Sequence, residues 1–519
     1  MKRPGLLRST AVFGAMTLLS RLAGLARDML QARVLGAGMA ADAFVIAYRI
    51  PNYLRRIFAE GSFAQAFVPV FNELKEKGDQ AALKDLLDHV AGSLCAVVLL
   101  VTGLGILLAP LIVTVMAPGT LDDPGKYALT SDLLRVTFPY LFFISGVALA
   151  GAVLNSFDRF GLPAVTPVLH NLVLIAAMTV AVGWFSLPVW ALAWGVFGAG
   201  LAQLLLLWPA LRRHGLLPRL RLGFRHEGVR KVFRLMLPTL FSSSVAQLNL
   251  LVGTLFASLL VTGSQTWLYL AERLAEFPLG LFGVALGTVI LPHLSRRHAA
   301  TDAEGYAATL DWALRMVLLG ALPAAVGLAL LAEPLTVTIY QGGQFGPEDA
   351  RMAAWALMAM SLGVPAFMAT KVLAPAFYAR QDTKTPMRAA IATVFSNVAL
   401  TVAIVTPLWF YGVEGGHVGI ALATSLAGFV NAALLWRSLR RAGLLRPRPG
   451  WGRFWLQALM ACALMATAVW LARGALGNWS AMPLMARIGW LLAVVALGAG
   501  VYGATLLLAG VRPRHLRER

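Results

Sequence analysis

Arginine recurs inside a stretch that is otherwise apolar enough to enter a membrane. From Ser20 to Phe67 the chain carries Arg21, Arg27, Asp28, Arg33, Asp42, Arg49, Arg55, Arg56 and Glu60. An arginine at the centre of a spanning helix costs about 2.5–3.5 kcal/mol on insertion scales, so such residues ordinarily face a water-filled cavity and carry a function. Guanidinium forks grip phosphate oxygens in pairs, and more firmly at low dielectric. Several of them, in excess of carboxylate, describe a pocket for an anion at membrane depth.

The spacing refines this. Arg21 and Asp28 are seven apart and share a helical face, while Arg27 points about a third of a turn away. Arg27, Asp28 and Arg33 also fit an interfacial pairing near the outer leaflet, whereas Arg21 lies too deep to snorkel. Arg56 and Glu60 stand at i, i+4 and can neutralise each other. Arg55 has no obvious local partner. Pro51 removes a backbone hydrogen bond and predicts a bend, and Asn52 beside it joins the supporting residues. Far downstream, YLAERLAEFPLGLFGVALGTVILP places Glu272 and Glu276 at i, i+4 and Arg273 and Glu276 at i, i+3. That arginine with two carboxylates reads as the other wall of a gate. Gly280, Gly283 and Gly287 offer small faces for close packing. Lys371 is a lone cation in an apolar run, readable as cavity lining or as a snorkelling side chain.

The elements that must carry these residues are membrane helices. Of 519 residues, 59% are hydrophobic and 13% charged, against about 25% charged in soluble domains; the mean hydropathy is +0.73. Apolar runs near spanning length recur from end to end and predict an all-α polytopic protein of about fourteen transmembrane helices. A first lobe holds spans near 8–35, 43–71, 86–116, 129–155, 163–184 and 188–211. A second holds 235–261, 267–294, 310–332, 350–378, 386–410 and 415–437, and 453–473 and 483–510 close the chain. The corresponding domains are 1–220, 221–445 and 446–519. Cys95 and Cys462 both lie in apolar runs, which speaks for packing rather than a disulfide. The basic N-terminus resembles a signal peptide, but Arg21, Arg27 and Asp28 interrupt its apolar run and no clear cleavage site follows, so it reads as an uncleaved first span.

The net charge of +20 falls on alternate loops. Arg212, Arg213, Arg219, Arg221, Arg225, Arg230, Lys231 and Arg234 crowd the connector after span six, and further arginines follow span twelve and the last span. The intervening loops APGTLDDPGK, VTGSQT, YQGGQFGPED and GVEGGH hold Lys126 as their one cation. Both termini are therefore expected in the cytoplasm, and nucleic-acid binding is set aside. The eight histidines show no metal spacing, and His293 and His298 read as interfacial. Asp122-Asp123 has the composition of a turn. No Walker A motif and no acidic metal motif of a membrane transferase occurs, so the chain is expected to be a transporter and not an enzyme.

The sequence also repeats. APLIVTVMAPG (109–119) and EPLTVTIYQGG (333–343) align with their prolines 334 − 110 = 224 apart, and Pro69 and Pro292 stand 223 apart. LNSFDRFGLP and FYARQDTKTP end in prolines at 223 again. Two parallel six-helix repeats round a central cavity, plus two C-terminal helices, is transporter architecture.

SRLAGLARD, GAGMAADAF, PNYLRRIFAEGSFAQAFVPV, LAERLAEFPLGLFGVALGTVILP and APAFYARQDTKTP together resemble the MurJ (MviN) lipid II flippase family of the multidrug/oligosaccharidyl-lipid/polysaccharide (MOP) exporter superfamily. The resemblance covers essentially the whole chain. It implies a multi-pass protein of the bacterial inner membrane that moves undecaprenyl-pyrophosphate-linked disaccharide-peptide to the outer leaflet by alternating access, for cell-wall biosynthesis. Arg21, Arg27, Arg55 and Arg273 would bind this substrate, and Asp42, Asn52, Arg56, Glu60, Glu272 and Glu276 would gate or support. Asp42, by itself a helix-start aspartate, would pair with an arginine near the outer gate. No cofactor or metal is implied. The driving force stays open between membrane potential and an ion gradient. Expected partners are lipid II, membrane lipids and cell-wall synthesis proteins. The alternatives are a flippase for another polyprenyl-pyrophosphate oligosaccharide and a cation-coupled multidrug exporter, which should present carboxylates where arginines dominate here.

Overall fold

Asp79 and Asp302 begin two long helices in the same way. Each carboxylate accepts a backbone N–H three residues on, from Ala82 at 2.9 Å and from Gly305 at 2.8 Å, satisfying donors that a helix start leaves open. That bond, reinforced by Arg297 at 2.7 Å, holds the Asp302 carboxyl below the usual carboxylate range. The computed structural model describes residues 6–56, 63–280, 284–411, 415–445 and 449–511, with the backbone alone at 6–13, 238–239, 241–246, 284–289 and 409. Among the described residues the secondary structure is helical, apart from one isolated bridge between Gly342 and Phe345.

The chain divides into two compact units, Met1–Gln265 and Thr266–Arg519. The first contains α1 (Leu6–Leu35), α2 (Met39–Arg55), α3 (Phe63–Glu76), α4 (Gln80–Leu107), α5 (Ala109–Met116), α6 (Pro124–Thr137), α7 (Tyr140–Ser156), α8 (Gly161–Ala176), α9 (Pro188–Arg213) and α10 (Glu227–Ser258). The second, entered along α11 (Ser264–Pro278), contains α12 (Val284–Ala299), α13 (Ala303–Leu330), α14 (Ala332–Ile339), α15 (Pro347–Ser361), α16 (Val364–Tyr378), α17 (Lys384–Phe410), α18 (Gly416–Arg441), α19 (Trp451–Leu476) and α20 (Leu484–Leu508). The bounds of α4 and α5 recur in α13 and α14 at one offset (303 − 80 = 223), and the starts of α6 and α15 keep it.

In the first unit, α1 packs on α8, α8 and α7 on α9, and α2 on α6. Phe63, Phe67 and Phe71 stack at i, i+4 along α3, with ring centroids 5.3 and 5.1 Å apart, inside a core with Leu86, Leu133 and Leu154. In the second unit, α13 packs on α16, α17 on α18 and α19 on α20. Arg473 on α19 reaches the Leu330 carbonyl and the Glu333 carboxylate, and Arg487 on α20 reaches the Val337 carbonyl, tying this hairpin to the α13–α14 corner.

Among the described residues nine helical segments are long and apolar enough to cross a membrane, or ten with the α15–α16 pair, which bends by 44°. Exposed Leu100, Leu107, Trp470 and Leu508 belong to such helices and suit contact with lipid chains. The remaining expected spans, α1, α2–α3, α10 and α11–α12, are not among these ten. Three of those four carry the charges singled out above. α2 runs through Pro51 and ends at Arg55.

The α9–α10 linker lies back along α4. Asp88 accepts the Arg219 N–H on its carboxylate at 2.8 Å and the Arg221 N–H on its carbonyl at 3.2 Å, and the Ser93 hydroxyl accepts the Gly223 N–H at 3.2 Å. Gly92 permits this approach, since a Cβ there would lie 2.2 Å from the Arg221 carbonyl oxygen. Gly92→Ala should therefore cost about 1–3 kcal/mol of stability by overpacking and speed tryptic cleavage at Arg219 and Arg221. Cleavage at the wild-type rate would show that the linker is not held there.

Candidate functional site

A buried charged pair lies on α1. Arg27 and Asp28 are both buried, at 6% and 3% exposure. The Arg27 Nε and Nη2 donate to one Asp28 oxygen at 3.1 and 2.5 Å, and Nη1 donates to the Asn171 amide oxygen of α8 at 3.1 Å. Asn171 in turn donates to the carbonyls of Ser20 and Pro167 at 3.2 and 3.1 Å. Gly24 brings α1 to contact distance of that amide, where a Cβ would stand 3.6 Å away. Asp28 thus pairs with its sequence neighbour rather than with Arg21, its partner on the helical face. Arg21 is half-buried and, among the described residues, forms no hydrogen bond or ion pair.

α2 carries the next group, and it is buried from Ala41 to Tyr53. Asp42, 1% exposed, accepts from Lys126 Nζ at 3.2 Å and from the Gly263 N–H at 2.8 Å. One partner of Asp42 is therefore a lysine. α2 packs on α6, and Asp123 caps the start of α6 through the N–H groups of Gly125 and Lys126, which sets Lys126 opposite Asp42. Gly263 sits at φ +101°, a region that favours glycine, and this turns its N–H onto the carboxylate.

Further along α2, Arg49 is buried and donates to the Thr254 hydroxyl of α10 at 3.1 Å. Tyr48 meets His170 of α8 at 3.2 Å between hydroxyl and Nε2. Arg55, for which the sequence offered no local partner, donates to the Asn52 amide oxygen at 2.9 Å, one turn back. Asn52 is therefore the group that orients Arg55. Arg56 is half-buried at the end of α2, and Glu60, its expected partner, lies outside the described residues.

In the second unit, Arg273 on α11 pairs with Glu276 at 3.4 Å, as the i, i+3 spacing allows, and lies 4.9 Å from the centroid of Tyr269. Glu272 is half-buried, Glu276 is exposed, and Lys371 on α16 is exposed.

The first unit thus gathers Arg27, Asp28, Arg49, Asn52, Arg55, His170 and Asn171 on three of its helices. Thr254 and Asn52 each help to orient a guanidinium, that of Arg49 and that of Arg55, and guanidinium groups suit reception of an anion. Arg49 stood in the sequence as one charge among many and was assigned no role. His170 and Asn171, adjacent polar residues in the apolar run TPVLHNLVLI, were the legible signal for α8.

A histidine grouping without sequence spacing also appears. His89 and His226 stack with centroids 4.8 Å apart beside Asp85, whose carboxylate lies 3.1 Å from His226 Nε2. His226 Nδ1 accepts the Gly228 N–H at 3.1 Å and caps α10, and His89 Nδ1 lies 2.9 Å from the Asp85 carbonyl. These nitrogens are engaged in holding the linker, and the arrangement is a structural clasp.

Breaking the buried Asp42–Lys126 pair from either side strands a charge. Asp42→Asn and Lys126→Met should each lower stability by about 3–5 kcal/mol, and the double variant should lose clearly less than the two together. Thermal unfolding of the purified protein in detergent reads this directly. Additive losses would mean that the two charges do not interact.

Comparison with known proteins places this geometry. The family model described as lipid II flippase MurJ matches residues 31–489. The chain is 43% identical to the probable lipid II flippase MurJ of Vibrio cholerae, over 99% of this chain and 98% of that protein. It is 39% identical to the lipid II flippase MurJ of Burkholderia cenocepacia, over 99% of each. The solved structure of a lipid II flippase MurJ in an inward closed conformation matches with a TM-score of 0.80 at 25% identity, covering 96% of this chain and 98% of that one. An inward-facing MATE family transporter of the MOP superfamily matches with a TM-score of 0.67 at 12% identity over 84% of this chain and 98% of its own, a likeness of fold alone. Matched from end to end by such relatives, the chain belongs to the MurJ family of lipid II flippases.

Proposed function

We propose that this chain moves lipid II from the cytoplasmic to the outer leaflet of the bacterial inner membrane by alternating access, supplying cell-wall biosynthesis. The observation that carries this reading is the match over nearly the full length of both chains to relatives named as lipid II flippases. The chemistry supports it. Lipid II joins a pyrophosphate and a disaccharide-peptide to a long polyprenyl tail, so the headgroup needs a wet cationic path while the tail stays in lipid. Arg21, Arg27, Arg55 and Arg273 are the groups we assign to the pyrophosphate, joined now by Arg49. Asn52, Arg56, Glu60, Glu272 and Glu276 are assigned to positioning and gating. The buried contact of Asp42 with Lys126 and Gly263 is the contact we expect to part when the outer side opens.

The wider arrangement belongs to the same proposal. Fourteen spans form two parallel six-helix lobes, 1–220 and 221–445, with two further helices in 446–519. The helix bounds that recur at one offset support it. Charge on alternate loops supports cytoplasmic termini. Membrane potential or an ion gradient drives the cycle without a cofactor, and cell-wall synthesis proteins are the expected protein partners.

The test measures outer-face lipid II in cells depleted of this protein and complemented with wild type or with Arg21→Ala, Arg27→Ala, Arg49→Ala, Arg55→Ala or Arg273→Ala, with membrane levels checked alongside. Wild type should restore exposure, and well-inserted Arg27 and Arg55 variants should lose at least about tenfold, as removal of a charge-assisted phosphate contact does. Full activity in every variant would make the arginines structural. Failure of wild type itself would point to another polyprenyl-linked glycan.

A further inference from the structure

The first unit holds a second feature that the anion site does not use. α4, α7, α9 and the linker after α9 enclose a cavity of about 150 Å³, lined by Leu87, Val98, Leu149, Val153 and Trp208 among others. The lining side chains with polar atoms other than the Trp208 indole are Ser145, whose hydroxyl already donates to the Leu141 carbonyl at 2.8 Å, and Cys95. Such a slot offers water no partners and accepts hydrocarbon.

One end of the cavity is closed by Leu216, Leu217, Pro218 and Leu220 of the linker. The N–H groups of Arg219, Arg221 and Gly223 donate to Asp88 and Ser93 and hold the segment that follows along α4. Leu220, Leu222 and Phe224 stand 66%, 70% and 51% exposed, and they alternate with exposed Arg219, Arg221 and Arg225. Arg212 and Arg213 are exposed at the end of α9 beside them. Of the nearby acids, Asp85 pairs with Arg221 at 3.7 Å and Asp88 is taken up by Lys84 and the Arg219 N–H, so the arginines stay in excess. Alternating exposed leucine and arginine is a pattern for the level where acyl chains meet headgroups, with arginine reaching out to phosphate.

A dry hydrocarbon slot lined in part by the linker that carries these arginines matches a molecule with both an acyl chain and a negatively charged phosphate. We propose that this groove binds one anionic phospholipid, its acyl chain between α4, α7 and α9 and its phosphate against Arg212, Arg213, Arg219 and Arg221. The occupant is a lipid of the surrounding membrane, distinct from the transported substrate, and its site lies wholly within the first unit.

Cys95 makes the groove measurable, because the other cysteine, Cys462, is separate and buried. In the full-length Cys462→Ser protein in detergent, a lipid-soluble maleimide should label Cys95, and phosphatidylglycerol should slow this at a concentration at least about tenfold below that needed for phosphatidylcholine of the same acyl chains. Replacing the four arginines by glutamine (R212Q, R213Q, R219Q, R221Q) should erase the difference between the lipids while leaving the labelling rate without lipid unchanged. Native mass spectrometry of the same samples should count one retained phosphatidylglycerol in the parent protein and none in the four-glutamine variant. Equal protection by both lipids, or a preference that survives the four substitutions, would reduce the groove to ordinary annular lipid and overturn the proposal.

Discussion

A charged side chain below the membrane surface persists only where an opposite charge or fixed dipoles replace the water it has lost, and the buried part of the first unit is arranged to meet that demand. Arg27 is held by its neighbour Asp28 and by the Asn171 oxygen, and Asn171 is itself fixed by two carbonyls. The tight packing of α1 on α8 follows from this set, since the amide must reach across the helix interface at Gly24. The same demand governs Asp42, which accepts from Lys126 in the first turn of α6 and from the Gly263 N–H. Each group is satisfied from more than one element, so the bonds also fix how the helices lie within the unit.

α2 connects these functions mechanically. Asp42 stands near its start and Arg49, Asn52 and Arg55 toward its end, with the side chains between them buried. At 1.5 Å per residue, Asp42 and Arg55 lie roughly 20 Å apart along one helix. A displacement at the Asp42 end is therefore carried along the rod to the arginines at the other.

The linker after α9 shows a different economy of the same material. Its basic residues satisfy the rule for loop charge, yet the segment is also docked along α4 by Asp88 and Ser93, with His226 capping the helix that follows. Docking leaves leucine and phenylalanine exposed beside arginine. That is unfavourable in water and favourable at a membrane interface, so the segment reads as part of the membrane-facing surface rather than as slack between lobes.

Composition, run length and the spacing of prolines determined the class of this protein without help: apolar runs of spanning length, cations inside them, and element bounds recurring at one offset are all local or periodic features of the chain. The pairing at i, i+3 between Arg273 and Glu276 was equally legible, because helix geometry alone sets it. Tertiary structure decided the remaining partners. Asp42 takes Lys126 from 84 residues away and Arg27 takes Asn171 from 144 residues away. Asp85 meets His226 from 141 residues away, beside His89 at the local i, i+4 spacing. The physical reason is that a spanning helix can satisfy its backbone by itself, but a buried charge must be satisfied by whichever helix packs beside it. That choice rests on close approach at positions such as Gly24 and Gly92, which no local pattern in the sequence reveals.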